Sequence, residues 1–303
     1  MESKKTAISV LIPVYNSCCV DFVRELQLLV EKTGINYEII VADDASTDRR
    51  CVEANRELTE IPNCLYIIKE VNTGAAATRN FLARQSSYPY LLYVDCDMQL
   101  EDGMFFRRYL DYLDNSEVEV VNGGVRVTVN CERWHDNLRY RYEEAEQANH
   151  TAEQRRQRPY QSFRSANFLI RRDVMLSCPF DERFHRSGYE DVLFGKQLRA
   201  DRIAITHIDN PLGFCTFEPN PDFVSKTEEG LRTLCQFRHE LRGYSRMLTF
   251  ADGIHIPPIL WIIRLSHRLF GTPIRRNLCG HHPNLRLFGL YKLGYFLTLQ
   301  RYE

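Results

Sequence analysis

Short apolar runs alternate with amphipathic stretches over the first part of the chain. Four runs are bounded by polar residues and are typical of strands buried on both faces of a parallel sheet, at residues 8–14, 38–42, 65–68 and 91–94. Residues 20–32 carry apolar side chains at helical spacing and are predicted to be a helix. A helix between two such strands makes a βαβ unit with a right-handed crossover, so an α/β fold is predicted.

Polar side chains follow each of the four predicted strands. Ligands of open α/β sheets bind beyond the carboxyl ends of the strands, so these side chains are predicted to share a cleft. Asp95 and Asp97 lie two residues apart, and alternation along a strand would let one cation engage both. The alternative is two solvated acids before a helix. The candidate site residues after the four strands are Pro13, Tyr15 and Asn16; Asp43, Asp44, Ser46 and Asp48; Asn72, Gly74 and Arg79; and Asp95 with Asp97.

The loops after the first and third strands limit which ligands this site could bind. The turn at residues 14–17 lacks the Gly-x-Gly-x-x-Gly pattern that brings backbone close to a pyrophosphate, which disfavours a nicotinamide dehydrogenase. Gly74 suits a tight turn before a helix. Arg79 lies one turn into that helix, where its guanidinium could bind a phosphate in bidentate fashion. The alternative for Arg79 is a solvent-exposed helix arginine.

The middle of the chain carries further elements. Residues 105–113 are predicted to be a helix, and residues 118–121 a fifth strand. Residues 131–160 are polar and charged, which predicts a solvated pair of helices, with a mobile flap over a bound ligand as the alternative. Residues 163–172 return to the pattern of a strand.

Charge is distributed unevenly along the chain. The net charge over 303 residues is −1, but residues 241–303 carry +7 and the remainder −8. Helices are predicted over residues 223–248, 256–270 and 285–299, where aromatic residues stand beside Arg and Lys. These helices are predicted to cover the body of the protein or, alternatively, to lie in a membrane interface. No apolar run is long enough to span a bilayer.

The number and spacing of the cysteines indicate the redox conditions of the cellular compartment. Ten are present without a Cys-x-x-Cys pair, Cys18 and Cys19 are adjacent, and the first residues do not have the pattern of a signal peptide. Reduced thiols and a cytoplasmic location are therefore expected, because disulfides are rare in that compartment.

The ordered series of strand-end motifs resembles the nucleotide-sugar-binding half of bacterial, non-processive family 2 glycosyltransferases. The resemblance implies a GT-A fold, a Rossmann-like mixed sheet flanked by helices. It implies that Asp43 reads the nucleobase, with uridine the expected base and Asp44 beside it. It also implies that Asp95 contacts the ribose and that Asp97 binds a divalent cation, Mn²⁺ or Mg²⁺. The other donor-binding residues implied are Pro13, Tyr15, Asn16, Asn72, Gly74 and Arg79.

The second half of the chain resembles the acceptor half of the same family. The matching positions are Asn167 with Arg171 and Arg172, then Phe180-Asp181-Glu182 with Phe184, then Gly188-Tyr189-Glu190-Asp191 before a helix. Acids are favoured in the first turn of any helix, but the resemblance implies that Asp191 is the catalytic base and that Glu190 supports it. Relatives often have a metal-binding histidine where this chain has Phe214, and His207 is a weaker candidate for that ligand.

The resemblance implies an inverting transferase that moves one sugar from a nucleotide-diphosphate sugar, with a UDP-sugar expected, to a hydroxyl of a sugar or lipid-linked sugar. Such an enzyme would serve cell-surface polysaccharide or glycolipid assembly. It would lie in the cytoplasm or peripherally at the inner face of the membrane, without a nucleic-acid partner. Residues 1–222 are expected to form the catalytic domain, with a donor half over about 7–125 and an acceptor half over about 126–222. Residues 223–303 form the basic helical extension.

Three alternatives are weighed against this function. A catalytically weak or inert nucleotide-sugar-binding protein is suggested by Phe214. A sugar nucleotidyltransferase should carry a Gly-rich, basic loop after the first strand, and this chain does not. A processive polymerase is disfavoured because the chain lacks a Gln-x-x-Arg-Trp element and a spanning helix.

Overall fold

The computed structural model describes residues 6–115, 118–128, 131–185 and 188–299. The outer ends of the two predicted domains, at residues 1 and 303, lie outside this range. The strands are β1 (Ala7–Val14), β2 (Asn36–Asp43), β3 (Cys64–Ile68), β4 (Tyr90–Val94), β5 (Met98–Gln99), β6 (Val120–Asn122), β7 (Val125–Val127), β8 (Asn167–Arg171), β9 (Ile205–His207) and β10 (Leu212–Phe214).

Helices connect and follow these strands. They are α1 (Val20–Glu31), α2 (Arg49–Asn55), α3 (Ala75–Gln85), α4 (Phe105–Asn115), α5 (Cys131–Trp134), α6 (Leu138–Glu146), α7 (Ala152–Gln157), α8 (Arg172–Ser177), α9 (Glu190–Ala200), α10 (Asn220–Gln236), α11 (Arg238–Leu241), α12 (Arg246–Asp252), α13 (Pro257–Leu278) and α14 (Leu285–Leu299).

The main sheet has seven strands in the order β3-β2-β1-β4-β8-β6-β9. The first four are parallel, whereas β8 runs antiparallel to both β4 and β6. A small second sheet has the order β5-β10-β7. The predicted mixed α/β sheet with flanking helices and a helical C-terminal region is confirmed.

The central strand β4 supplies both faces of the core. Leu91 and Tyr93 point into one apolar cluster, and Leu92 and Val94 point into the other. This alternation explains why the sequence shows a continuous apolar run rather than an alternating one. The ring of Tyr93 stacks on Phe168 of β8 with centroids 4.7 Å apart. The two neighbouring strands β4 and β8 are therefore packed through aromatic rings close to the point where the polar loops begin.

The segment predicted as a solvated helix pair does form helices, α5 to α7, but it is not wholly solvated. Arg155 of α7 is only 3% exposed. Its guanidinium donates hydrogen bonds to the carbonyl oxygens of Asn122, Gly123 and Ile208 at 2.8–3.0 Å. The buried arginine ties α7 to the end of the sheet, which disfavours a mobile flap at this position.

The C-terminal helices pack as a cover on the sheet domain. The helix predicted over residues 223–248 is divided into α10, α11 and α12, and α13 runs beyond the predicted end at residue 270. Phe296 and Leu297 of α14 enter the same apolar cluster as Phe180. Glu228 of α10 accepts hydrogen bonds from Arg275 and Tyr291, each at 2.7 Å. Among the described residues, no helix combines the length and apolarity needed to cross a bilayer.

One cysteine prediction is wrong. Cys18, in the loop after β1, forms a disulfide with Cys51 of α2. The sequence pattern did not reveal this pair because the two residues are 33 positions apart and meet only in the fold. The cysteines therefore no longer support the expected cytoplasmic location.

Candidate active site

The loops after β1 and β2 form one unit at the carboxyl end of the sheet. The side-chain oxygen of Asn16 accepts hydrogen bonds from the backbone N–H groups of Thr47 (2.7 Å) and Asp48 (2.9 Å). Asn16 adopts a left-handed conformation, with φ 52°, which asparagine tolerates better than most residues. Tyr15 beside it is 49% exposed, and Pro13 is half-buried at the end of β1. Tyr15 thus stands at an open rim.

Asp43 is enclosed and holds the second loop. Its side chain is fully buried, and its oxygens accept hydrogen bonds from the backbone N–H of Ser46 (2.7 Å) and the hydroxyl of Tyr66 (2.9 Å). The direct nucleobase contact that the resemblance implies for Asp43 is not accessible in this conformation. Ser46, which Asp43 positions, is only half-buried and is the more open residue at this rim.

Asp44 organises the third loop rather than facing a ligand. Its carboxylate accepts from Lys69 Nζ (2.6 Å) and from the backbone N–H of Gly74 (2.8 Å). Burial alone would raise the pKa of Asp44, but these partners together with Thr73 lower it below its usual value. The amide of Asn72 donates to the carbonyl oxygen of Asp44 at 3.0 Å. Asp44 therefore joins the loop after β2 to the loop after β3.

Gly74 is required by a close approach of two backbones. Its φ is +87°, and a Cβ at this position would lie 2.7 Å from the carbonyl oxygen of His185. Any L side chain would both strain the turn and collide with that backbone. Gly74 thus brings the start of α3 against the segment before α9.

Arg79 of α3 joins the two halves of the site. It is 4% exposed, and its guanidinium donates to Asp95 Oδ1 (Nη2, 3.0 Å) and to Glu190 Oε1 (Nη1, 3.4 Å). The alternative of a solvent-exposed arginine is wrong, and the head group already has two carboxylate partners. Arg79 Nε has no hydrogen-bond partner among the residues described.

Asp95 and Asp97 face different surroundings. Strand β4 ends at Val94, so the two acids lie in a turn and the alternation expected of a strand does not apply. Asp95 is turned towards Arg79, whereas the exposed Asp97 carboxylate has no ion pair or hydrogen bond among the described residues. Burial raises the pKa of Asp95 to about 6, against the opposing effect of Arg79. The expected bridging of one cation by both acids is not supported.

Of the two acids in this turn, Asp97 is the one whose carboxylate is open to a divalent cation. Phe214 is paired with Met98 across β10 and β5, so an apolar ring borders the turn at the position where the resemblance implies a histidine. No group of three His, Cys, Asp or Glu side chains in the described part of the chain is placed to hold a metal. A hard cation is nevertheless commonly held by one or two carboxylates, substrate phosphates and water. The exposed carboxylate of Asp97 suits such a site.

His207 is a structural residue, not a metal ligand. Its Nδ1 lies 3.0 Å from Arg155 Nη1, and its Nε2 lies 2.8 Å from the carbonyl oxygen of Pro159. Burial lowers the pKa of His207 to about 4. Both ring nitrogens already have protein partners, so neither is open to a metal.

Glu190 and Asp191 begin α9 and have different hydrogen-bond partners. Glu190 accepts from Arg79 and from the backbone N–H of Gly188 (3.0 Å). Asp191 accepts from the N–H of Val192 (2.7 Å). Burial, followed by the charge of Glu190, raises the pKa of Asp191 to about 7, with Arg164 opposing. A carboxyl with a pKa near neutrality suits general-base chemistry.

Asp191 lines a cavity that was not predicted from the sequence. The cavity has a volume of about 1000 Å³ and lies between α9 and the helices α12 and α14. Its wall includes Arg164 from the body together with Arg246 and Lys292 from the extension. The +7 charge of the C-terminal region was the only signal of this wall in the sequence. The residues that reach the cavity cannot be identified without the fold.

Comparisons with known proteins agree with this geometry. The sequence model described as Glycosyl transferase family 2 matches residues 9–177. The chain is 37% identical over 106 residues to the poly(ribitol-phosphate) beta-glucosyltransferase of Bacillus spizizenii, which covers 34% of this chain and 16% of that protein. The matched segments span 13–42% of the length of the curated relatives.

Two solved structures share the fold. TarS 1-349 of S. aureus in complex with UDP-GlcNAc aligns with a TM-score of 0.51 at 14% identity, over 98% of this chain and 91% of that chain. The mannosyltransferase PcManGT from Pyrobaculum calidifontis, in complex with GDP-Man and Mn²⁺, aligns with a TM-score of 0.56 at 12% identity, over 97% and 86%. At these identities the likeness concerns the fold alone.

Proposed function

The chain belongs to glycosyl transferase family 2, and from this we propose that it transfers a single sugar from a UDP-sugar to an acceptor hydroxyl with inversion at the anomeric carbon. The observation that carries the proposal is the bridge made by Arg79. It joins Asp95, beside the expected donor, to Glu190, the neighbour of Asp191. The bridge brings carboxylates from distant parts of the chain next to one another, which supports adjacent donor and acceptor sites.

In this mechanism Asp191 acts as the general base. The acceptor O–H proton passes to the Asp191 carboxylate as the acceptor oxygen attacks C1 of the sugar. The C1–O bond to the diphosphate breaks, and its electron pair leaves with the nucleoside diphosphate. Attack from the face opposite the leaving group inverts C1. Glu190, held by Arg79 and Gly188, keeps the start of α9 in place and adds negative charge beside the base.

Donor binding is assigned to the loops after β1 to β4. Tyr15 and Ser46 stand at the open rim where the base would lie, while Asp43 and Asp44 hold the loops that present them. Asp97 would hold Mn²⁺ or Mg²⁺. When bound, such a cation would offset the charge of the donor diphosphate. We keep residues 1–222 as the catalytic domain, with Asp191 in its acceptor half.

The expected acceptor is a sugar or a lipid-linked sugar in cell-surface polysaccharide or glycolipid assembly. This part of the proposal is supported by the poly(ribitol-phosphate) beta-glucosyltransferase relative, whose substrate is a polymer. The proposed place of action is the cytoplasm or, peripherally, the inner face of a membrane.

Helix α13 supports a peripheral membrane contact. Ile259, Ile262, Leu269 and Phe270 are 42–62% exposed, and their spacing places them along one side of the helix. The helix contains four arginines and no acid, so its charge complements an anionic lipid surface. Leu269→Glu should reduce sedimentation with phosphatidylglycerol vesicles. Leu28→Glu, at an equally apolar exposed position on α1, is the matched control.

A donor panel tests the proposed function against the alternatives. Thermal shifts are measured with UDP-, GDP- and dTDP-sugars with and without Mn²⁺, and release of nucleoside diphosphate is followed. Stabilisation by UDP-sugars with slow UDP release supports a transferase. Binding without any release identifies the inert binding protein suggested by Phe214. Pyrophosphate-dependent release of UTP identifies a nucleotidyltransferase.

A further inference from the structure

Lys292 lines the cavity that contains Asp191, and the nearby carboxylates of Glu146 and Glu143 act on its charge without pairing with it. The ammonium lies 4.5 Å from the ring centroids of both Tyr142 and Phe288. No residue that the structure describes reaches Lys292 Nζ with a hydrogen bond or an ion pair. An ammonium has three donors and is costly to leave unpaired in a part-buried site. The two rings hold it at the cavity wall but leave its donors unused.

The cavity as a whole is electropositive. Arg164, Arg246, Arg286 and Lys292 line it, against the two acids Glu146 and Asp191. His150 adds no charge, because burial lowers its pKa to about 3.

The existing ion pairs neutralise this surface only in part, although Arg164 pairs with Glu143 at 3.3 Å. Arg246 pairs with Glu146 at 3.4 Å, but the Arg246 side chain is 72% exposed. The interaction free energy of such an exposed ion pair is small. The Arg286 guanidinium, like Lys292, has no ion-pair partner in the described part of the chain. Both unpaired cations come from α14.

Helix α14 is held firmly enough to position a ligand group. Tyr291, the residue before Lys292, donates to Glu228 at 2.7 Å. At Gly294 the helix packs so closely on α13 that a Cβ would lie 2.7 Å from His267 Cβ. Lys292 therefore extends from a fixed backbone, not from a mobile terminus.

We propose that the acceptor is anionic and that Lys292 binds its phosphate or carboxylate group while Asp191 faces the reacting hydroxyl. The inference rests on the proposed function, because it takes the Asp191 cavity to be the acceptor site. Burial lowers the pKa of Lys292, and an anion bound there would raise it again, so acceptor binding would favour the charged ammonium. A neutral oligosaccharide would offer this ammonium no charged partner.

Acceptor binding, measured without turnover, tests the proposal. Calorimetry with UDP present compares a ribitol-phosphate trimer, a glucuronate-containing tetrasaccharide and neutral cellotetraose. The wild-type chain should bind one of the anionic ligands more tightly than cellotetraose, and which one it binds distinguishes phosphate from carboxylate. Lys292→Met should weaken that binding by on the order of 10- to 100-fold, the range for a hydrogen bond to a charged group. Lys292→Arg should restore most of it.

Controls separate binding from folding and from the proposed function. Lys226→Met removes a 58% exposed lysine that pairs with Glu218 outside the cavity, and its ligand affinity should match wild type. Thermal unfolding checks that Lys292→Met is folded, and Lys292→Gln provides a second neutral variant. Equal affinity for anionic and neutral ligands, or anion binding insensitive to both neutral variants, overturns the proposal. UDP release from the donor is scored separately, so its absence would count against the transferase and not against Lys292.

Discussion

Replacing Arg79 by methionine should destabilise the protein strongly. The change removes the guanidinium that pairs with Asp95 and Glu190 but keeps an apolar stem near the Phe180 ring. The Arg79 side chain is 5% exposed, and its partners are 29% and 13% exposed, so solvent screens these pairs weakly. Removing one member of a buried pair typically costs about 3–5 kcal/mol, because the remaining charges lose their compensation.

The assay is urea unfolding followed by tryptophan fluorescence, with the difference in unfolding free energy taken at a common m value. Arg24→Met is the matched control, since Arg24 pairs with Glu57 at 2.8 Å but both side chains are about half exposed, at 48% and 57%. That control should cost about 0–1 kcal/mol. Adding Glu190→Gln to Arg79→Met should recover part of the loss, with a coupling of about 0.5–3 kcal/mol. A loss in Arg79→Met no larger than in Arg24→Met would refute the bridging role.

Two further predictions concern donor and base. Asp97→Asn should weaken UDP-sugar binding in the presence of Mn²⁺ but not in its absence, as measured by calorimetry. Asp21→Asn, which changes a fully exposed acid, is the control. Equal losses of affinity in the two variants would contradict the metal role of Asp97. The value of kcat/KM should rise with pH and level off above about 7, because Asp191 must be deprotonated to accept a proton. A profile that falls over this range would be incompatible with Asp191 as the base.

The strands could be predicted because of how they are buried. Residues of β1, β2 and β4 lie between helices on both sides of the sheet, so continuous apolar runs such as Leu91–Leu92–Tyr93 identified them without further information. The start of α9 was equally visible, because the acids at Glu190 and Asp191 precede an apolar helical pattern. These signals depend only on residues that are close together in the chain, so a single sequence is enough to recognise them.

The partners of the site residues could not be predicted in the same way. Arg79 and Glu190 are 111 positions apart, and Asp43 meets Tyr66 only because β2 and β3 are adjacent. The end of the strand at Val94 was predicted, but the spacing of Asp95 and Asp97 did not show that the two carboxylates face different surroundings. Motif positions predicted which residues gather at the sheet edge, whereas burial and pairing decided which of them are open to a ligand.

Asp191→Asn tests the central claim most directly. Asparagine keeps the size of the side chain and can no longer accept a proton from the acceptor. Steady-state transfer and UDP-sugar affinity are measured on the same preparation. The account predicts turnover lower by about 10²–10⁴-fold with donor affinity unchanged. Turnover close to wild type in Asp191→Asn would contradict it.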